Sequence, residues 1–219
     1  MSEELLFLER QPREPSELKP LMVMLHGRAN YAKTIFTIEG LLDPRFTVFA
    51  IQAPFVSDKG GFEWFKPNEA GRSDEISEAS RFQESEDRLT EQIERMRAER
   101  GLQNSPLYLL GFSQGAAMCF LLGLRGKLGA RRVVPMSGFL PQPVKSWPTL
   151  DPKAKYMITH GTEDEVLPPE VSIRAKDHLV SRGIDAQYYE YRGRHKMSLS
   201  CLHHVNAWLK EDLEQLAVK

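Results

Sequence analysis

Residues Gly111-Phe112-Ser113-Gln114-Gly115 form a G-x-S-x-G pentapeptide in a chain holding 15 glycines among 219 residues. An apolar run, Leu107 to Leu110, leads into it, and a helix-forming run, Ala116 to Leu122, leaves it. Strand, sharp turn and helix in that order present a serine as a nucleophile for acyl transfer. The turn strains the serine backbone, and small residues at 111 and 115 let strand and helix pass close together. The helix also aims its unpaired first-turn N–H groups at the reacting centre. No Lys-Ser/Thr follows the loop, which excludes a phosphate-cradling P-loop. The competing interpretation is a glycine-rich turn that only reverses the chain.

A serine hydroxyl is a weak nucleophile and needs a base within hydrogen-bond reach, with a third group orienting that base. Where serine sits on such a corner, the acid and then the histidine follow it along the chain. After the apolar run Tyr156 to Thr159 comes His160-Gly161-Thr162-Glu163-Asp164-Glu165-Val166-Leu167-Pro168. Three acids in succession compete for one inward position; Asp164 is selected because it lies mid-loop before Val166-Leu167. The candidate bases are His195, His203 and His204. The last two fall beside the apolar stripe of a C-terminal helix, whereas His195 follows Tyr191-Arg192-Gly193-Arg194 in a loop, so His195 is selected. The developing oxyanion needs donors: the N–H of Gln114, after the nucleophile, and the N–H of Arg28 in the early loop His26-Gly27-Arg28-Ala29. His26 and His160 close their strands as His-Gly pairs and are expected to be turn residues that hold backbone through their rings.

The elements that must position these groups are legible as alternating patterns. Leu21–Leu25, Phe46–Ile51, Pro106–Leu110, Arg132–Met136, Tyr156–Thr159 and Gln187–Tyr191 are short apolar runs, the pattern of strands buried on both faces. Leu5 to Leu8 adds a candidate edge strand. Phe82, Leu89, Ile93 and Met96 share one face of a helix ending near Gly101. Pro168-Pro169 opens a helix with the face Val171, Ala175, Leu179, stopped by Gly183; Leu202, Val205, Leu209, Leu213 and Leu216 line a C-terminal one. Strands alternating with helices predict one α/β domain over residues 1–219, with a mainly parallel central sheet flanked by helices. In such sheets chemistry collects at the carboxyl ends of the strands.

Composition narrows the class. Lys and Arg total 29 against 30 Asp and Glu, so no basic surplus exists for a phosphate backbone, and nucleic acid is not an expected partner. At 41% hydrophobic and 27% charged the chain is globular rather than disordered. The acidic start Met1-Ser2-Glu3-Glu4 is unlike a secretory signal, and the longest apolar run, Ala116 to Leu124, falls short of the ~20 residues that span a bilayer. A cytoplasmic protein without a transmembrane segment is expected. Cys119 and Cys201 are too few for a disulfide framework or a structural zinc site, and His195, Cys201, His203 and His204 match no zinc spacing. No metal and no cofactor are predicted; a homodimer is left open.

Leu25-His26-Gly27, Gln52-Ala53-Pro54, Gly111 to Gly115, Met136-Ser137-Gly138-Phe139-Leu140-Pro141 and His160-Gly161 through Pro168 resemble, in order, the signatures of the phospholipase/carboxylesterase family, which includes acyl-protein thioesterases. The resemblance implies an α/β-hydrolase fold without a large lid domain, and hydrolysis of esters or thioesters by Ser113, Asp164 and His195. Ala29 stands where the family often carries glycine, Thr162 replaces the first of two aspartates, Glu165 replaces a proline, and Arg194 replaces a small or apolar residue. Arg28 and Arg194 are expected to add positive charge near the mouth and favour acidic substrates. Gly60-Gly61-Phe62-Glu63-Trp64-Phe65 resembles the family's aromatic loop, so Trp64 and Phe65, with Phe139, Leu140 and Leu167, are expected to form an acyl wall. Short connections predict small or linear acyl groups on a small-molecule ester or thioester. Two alternatives remain: a non-catalytic binding protein on the same fold, and an acyltransferase using the same acyl-enzyme.

Overall fold

The structure is a computed structural model that describes residues 4–67 and 79–218. The acidic start at Met1 to Glu3 lies outside the described residues. Seven strands form one sheet in the order β1-β3-β2-β6-β7-β8-β9. They are β1 (Phe7–Arg10), β2 (Leu21–Leu25), β3 (Thr47–Ile51), β6 (Leu107–Phe112), β7 (Ala130–Met136), β8 (Lys155–Gly161) and β9 (Ala186–Tyr191). Only β1 runs antiparallel, along β3 at one edge. The other pairings are parallel, so the carboxyl ends of β2, β6, β7 and β8 gather on one side of the sheet.

Why the apolar runs had to be strands follows from burial. Every residue of β2 and β3 is buried, which requires cover on both faces. Alternation then splits the core in two. Leu21, Val23, Leu25, Leu107 and Leu109 face α2 (Ala79–Glu99), α3 (Gln114–Arg125) and α5 (Glu170–Ser181). Met22, Met24, Tyr108 and Leu110 face α1 (Ala32–Phe36) and α6 (Leu199–Ala217). Phe82, Leu89, Ile93 and Met96 of α2 are all buried, as the spacing predicts. The strands run further than the apolar runs: β6 continues through Gly111 and Phe112, and β8 through His160 and Gly161. His160-Gly161 is therefore strand rather than turn, because ladder pairing to Glu190 and Tyr191 of β9 overrides glycine's usual role as a stop. The hairpin β4 (Phe55–Val56)–β5 (Phe62–Glu63) and the short helix α4 (Gln142–Lys145) carry no periodic signal and were not anticipated.

Candidate active site

Ser113 stands at the corner between β6 and α3 with φ 54° and ψ −115°, a left-handed conformation uncommon for a residue with a Cβ. The strain is held from both sides. Ser113 N–H donates to Met136 O at 2.9 Å, and Ser113 O accepts from Ala116 N–H at 3.0 Å. The two flanking glycines are demanded by proximity: a Cβ at Gly111 would lie 2.3 Å from Gly115 O, and one at Gly115 would lie 2.1 Å from Leu25 O. Replacing Gly115 by Ala must push α3 off the end of β2. We expect a cost on the order of 3 kcal/mol, seen as a melting temperature lower by roughly 6–12 °C. An unchanged melting temperature would refute the close-packing argument.

The structure brings Ser113, His195 and Asp164 into one line. His195 Nε2 lies 3.0 Å from Ser113 Oγ, and His195 Nδ1 lies 2.6 Å from Asp164 Oδ2. The imidazole is 18% exposed, whereas the Asp164 side chain is fully buried. The choice among the three acids is decided here. Glu163 turns outward to Arg192 at 2.9 Å and Glu165 to Arg194 at 2.7 Å, leaving Asp164 alone facing inward. Asp164 Oδ1 accepts from the N–H groups of Val166 and Leu167, both at 2.9 Å, which fixes the rotation of the carboxylate. The acid and base loops are joined by backbone: Thr162 N–H donates to Tyr191 O and Glu163 N–H to Gly193 O. Gly161 permits that approach, since a Cβ there would meet Gly193 O at 2.4 Å. Tyr191 OH donates to Lys196 O at 2.6 Å, propping the base loop, and the Phe112 ring lies 4.9 Å from the His195 ring. His203 and His204 sit on the exposed face of α6, with His204 stacked on Tyr189 at 3.9 Å.

The early loop carrying Arg28 is anchored by the His26 ring, as expected, and by Trp64 and the Gln114 side chain, whose roles there were not apparent in the sequence. His26 Nδ1–H donates to Gly27 O at 2.7 Å, and its Nε2 accepts from Ala53 N–H at 3.0 Å. Trp64 Nε1–H donates to His26 O at 2.8 Å. Gln114, whose backbone N–H is the expected oxyanion donor, uses its side chain to accept from Trp64 N–H at 2.8 Å and donate to Phe65 O at 2.6 Å. Ala29 adopts φ 55° in the place where glycine was anticipated from the resemblance. It is held there by the pairing of Asn30 with Phe62 on β5.

Two expectations are corrected. Trp64, Phe65, Phe139, Leu140 and Leu167 do not stand as an open wall: each is 4% exposed or less and joins the core on the α2–α3 face of the sheet. Phe65 packs edge-on against Phe82 and Phe139, at ring-centre distances of 5.3 and 6.3 Å. Apolarity in the sequence marked these residues for burial, and it did not distinguish a ligand from neighbouring side chains as the cover. Nor do Arg28 and Arg194 present free positive charge. Arg28 is paired with Glu63 and Asp58, both at 2.9 Å, and Arg194 with Glu165.

Burial pushes the His26 imidazole down to about 4, against a smaller opposing effect of its bond to Gly27 O. Unfolded histidine titrates near 6.5, so between pH 6.5 and about 4 the unfolded chain binds a proton that folded His26 refuses. Stability therefore falls as pH drops through that window. His26 contributes a loss of about 3 kcal/mol at its acid end, and buried His160, lowered in the same direction, adds to it. Urea unfolding at pH 7 and pH 4 measures the change, and His26→Gln should flatten this part of it. A midpoint independent of pH would sink the prediction. Burial also raises both thiols, Cys201 to about 11 and Cys119 beyond that, so each is an inert apolar filler. Among the described residues no three His, Cys, Asp or Glu side chains are grouped to hold a metal ion, and no helix is long and apolar enough to cross a membrane.

A mostly parallel sheet covered by helices on both faces, with a serine on the strained β6–α3 corner, is the α/β-hydrolase fold. Within that class the chain belongs to the phospholipase/carboxylesterase family, whose sequence pattern matches residues 14–212. Acyl-protein thioesterase 1 of Emericella nidulans is 28% identical over 141 residues, 59% of this chain and 59% of that protein. The chain thus matches less than two thirds of the length of this curated relative. Among solved structures, esterase PE8 superposes with a TM-score of 0.80 at 25% identity, covering 95% of this chain and 99% of its own. The Bacillus cereus carboxylesterase gives 0.81 at 15% identity, covering 94% of each chain. Acyl-protein thioesterase 2 of Zea mays gives 0.74 at 21%, covering 95% and 99%. The last two likenesses speak for the fold alone.

Proposed function

We propose that the protein is a serine hydrolase that cleaves carboxylic esters or thioesters of small or linear acyl groups through an acyl-enzyme on Ser113. One observation carries this: the unbroken line from Ser113 Oγ through His195 to buried Asp164, with contacts of 3.0 and 2.6 Å. Ser113 Oγ attacks the carbonyl carbon while His195 Nε2 takes its proton. His195 then gives that proton to the leaving alcohol or thiol, and Asp164 holds the imidazole in the Nδ1–H tautomer. Water repeats the sequence on the acyl-enzyme, with His195 again as base, and the acid is released with Ser113 restored. The N–H groups of Gln114 and Arg28 are assigned to the oxyanion, each worth about 2.7–4 kcal/mol in the transition state. Family membership and the likeness to esterase PE8 support the reaction class. Phe65 packs on Phe82 and Phe139, Trp64 packs on His26, and all are buried in the core, which favours short acyl groups.

The test is turnover on a p-nitrophenyl ester series from acetate to palmitate, beside an acyl-peptide thioester, with fluorophosphonate labelling of the same preparation. We expect stoichiometric labelling and the highest kcat/KM at short chains. A protein that neither labels nor turns over any of these is a binding protein on a hydrolase fold, and the proposal fails. A maximum at long chains would remove the acyl-length part alone.

A further inference from the structure

The inward carboxylate has a second histidine. His160 Nε2 lies 3.1 Å from Asp164 Oδ2, the same oxygen that accepts from His195, and 2.9 Å from Leu167 O. Its Nδ1 lies 2.7 Å from Ser172 Oγ on α5, which in turn lies 2.8 Å from Gly138 O. His160 and Ser172 are completely buried. The ring sits on β8, in register with Glu190 of β9, so its backbone is held by the central sheet rather than by a loop.

The neighbours leave one neutral tautomer. Leu167 O and Asp164 Oδ2 can only accept, so Nε2 must carry a hydrogen; in the neutral ring Nδ1 is then the acceptor, and the single hydroxyl hydrogen of Ser172 must turn to it and away from Gly138 O, which leaves the 2.8 Å approach of Oγ to Gly138 O as a packing contact. Burial, the largest influence on this imidazole, opposes a second proton. Asp164 therefore has four N–H groups around it: Val166 and Leu167 on Oδ1, His195 on Oδ2, and His160 Nε2–H, shared with Leu167 O, 3.1 Å from the same Oδ2. Gly138, at the far end of the chain of contacts, packs against the nucleophile corner, where a Cβ would lie 3.0 Å from Ser113 O. His160 thus ties the acid to the sheet and, through Nδ1, to Ser172 of α5.

We propose that His160 is a positioning residue for the reaction, a neutral hydrogen-bond donor that holds Asp164 in place and shares the charge of its Oδ2 with His195. This rests on the assignment of Ser113, His195 and Asp164 made above. Removing the donor frees one side of the carboxylate and leaves the Oδ2 charge to His195 alone. The first effect lowers kcat without touching substrate binding. The second stabilises the imidazolium of His195, so a higher pH is needed to release the base. The other titratable groups around the cluster are Tyr191 of β9 and Cys201 of α6, raised to about 12 and 11 by burial, and the outward Glu163–Arg192 and Glu165–Arg194 pairs. His160 substitutions leave all of them unchanged in type.

The experiment compares wild type, His160→Leu, His160→Gln and Ser172→Ala on a short p-nitrophenyl ester, with Ser113→Ala as blank. It also follows the NMR titration of the His195 ring in each protein. His160→Leu keeps the volume and loses the donor: we expect kcat lower by about tenfold at unchanged KM. The acid limb of kcat/KM and the ring titration should both move up by about 0.5–1 pH unit. His160→Gln returns an N–H at similar reach and should recover most of kcat and the original limb. Ser172→Ala removes the partner of Nδ1 and should give a smaller upward shift, which answers the question even if the leucine variant does not fold. A wild-type limb in both His160→Leu and Ser172→Ala overturns the proposal, and so does a glutamine variant as impaired as the leucine one. Absence of Ser113-dependent turnover in wild type would instead overturn the functional assignment, and the ring titration would still decide the role of His160.

Discussion

Ser113→Ala is expected to lower kcat on a short aryl ester by four orders of magnitude or more, with the fold intact. The size follows from the role: the only side-chain bond of Ser113 Oγ among the described residues is the 3.0 Å contact to His195, so its deletion removes the attacking atom and little else. Backbone strain is unaffected, because alanine inherits φ 54°. The melting temperature should therefore stay within a few degrees of wild type. Residual turnover over water should persist if the N–H groups of Gln114 and Arg28 still stabilise the oxyanion. Turnover in the variant and loss of fluorophosphonate labelling are the measurements. Activity near wild type would leave another group as nucleophile.

Asp164→Asn should be nearly as damaging, lowering kcat by about 10⁴-fold, although it is almost isosteric. The geometry dictates the outcome. Val166 and Leu167 direct two N–H groups at Oδ1, so the amide oxygen of asparagine must take that position. The amide NH₂ then faces His195 Nδ1, where Asp164 Oδ2 had accepted at 2.6 Å. Two donors cannot share the contact, and the imidazole must move its hydrogen to Nε2. In that tautomer the ring offers Ser113 Oγ a donor where the attack needs an acceptor. His160 Nε2–H meets the same NH₂ and is left with Leu167 O as its acceptor. Labelling by fluorophosphonate should slow in step with kcat, and labelling at the wild-type rate would show that tautomer control by Asp164 is not needed.

Much of this site could be read along the chain because its local requirements are steric. The pentapeptide around Ser113 needs glycine at 111 and 115 wherever a strand turns sharply into a helix. The strands are buried on both faces and therefore show as apolar runs. The helices bury one face and show their spacing, as Phe82, Leu89, Ile93 and Met96 do. Other assignments were beyond local pattern. Among Glu163, Asp164 and Glu165 the sequence favours Asp164 only by its mid-loop place before Val166-Leu167; what turns the other two outward and holds Asp164 inward is Arg192, Arg194 and two backbone N–H groups around them. Trp64 and Phe65 are equally apolar in a wall or in a core. Arg28 and Arg194 are equally basic whether free or paired. The contact of His160 with Asp164 carried one faint signal, a histidine closing an apolar strand just ahead of the acid loop.

The amino-acid order alone determined the alternation of strands and helices, the strained serine corner and the order in which Ser113, Asp164 and His195 follow one another. Those properties depend on interactions within a few residues, or on how much of each segment water can reach. Tertiary structure decided what holds Asp164 inward, which charges are neutralised, which aromatic side chains become core, and that a second histidine meets the carboxylate. These depend on distances between residues such as Ser113 and His195, 82 positions apart. The parallel sheet brings the ends of β6, β8 and β9 to one edge, with β7 between β6 and β8, and nothing local encodes the separation of side chains that meet there.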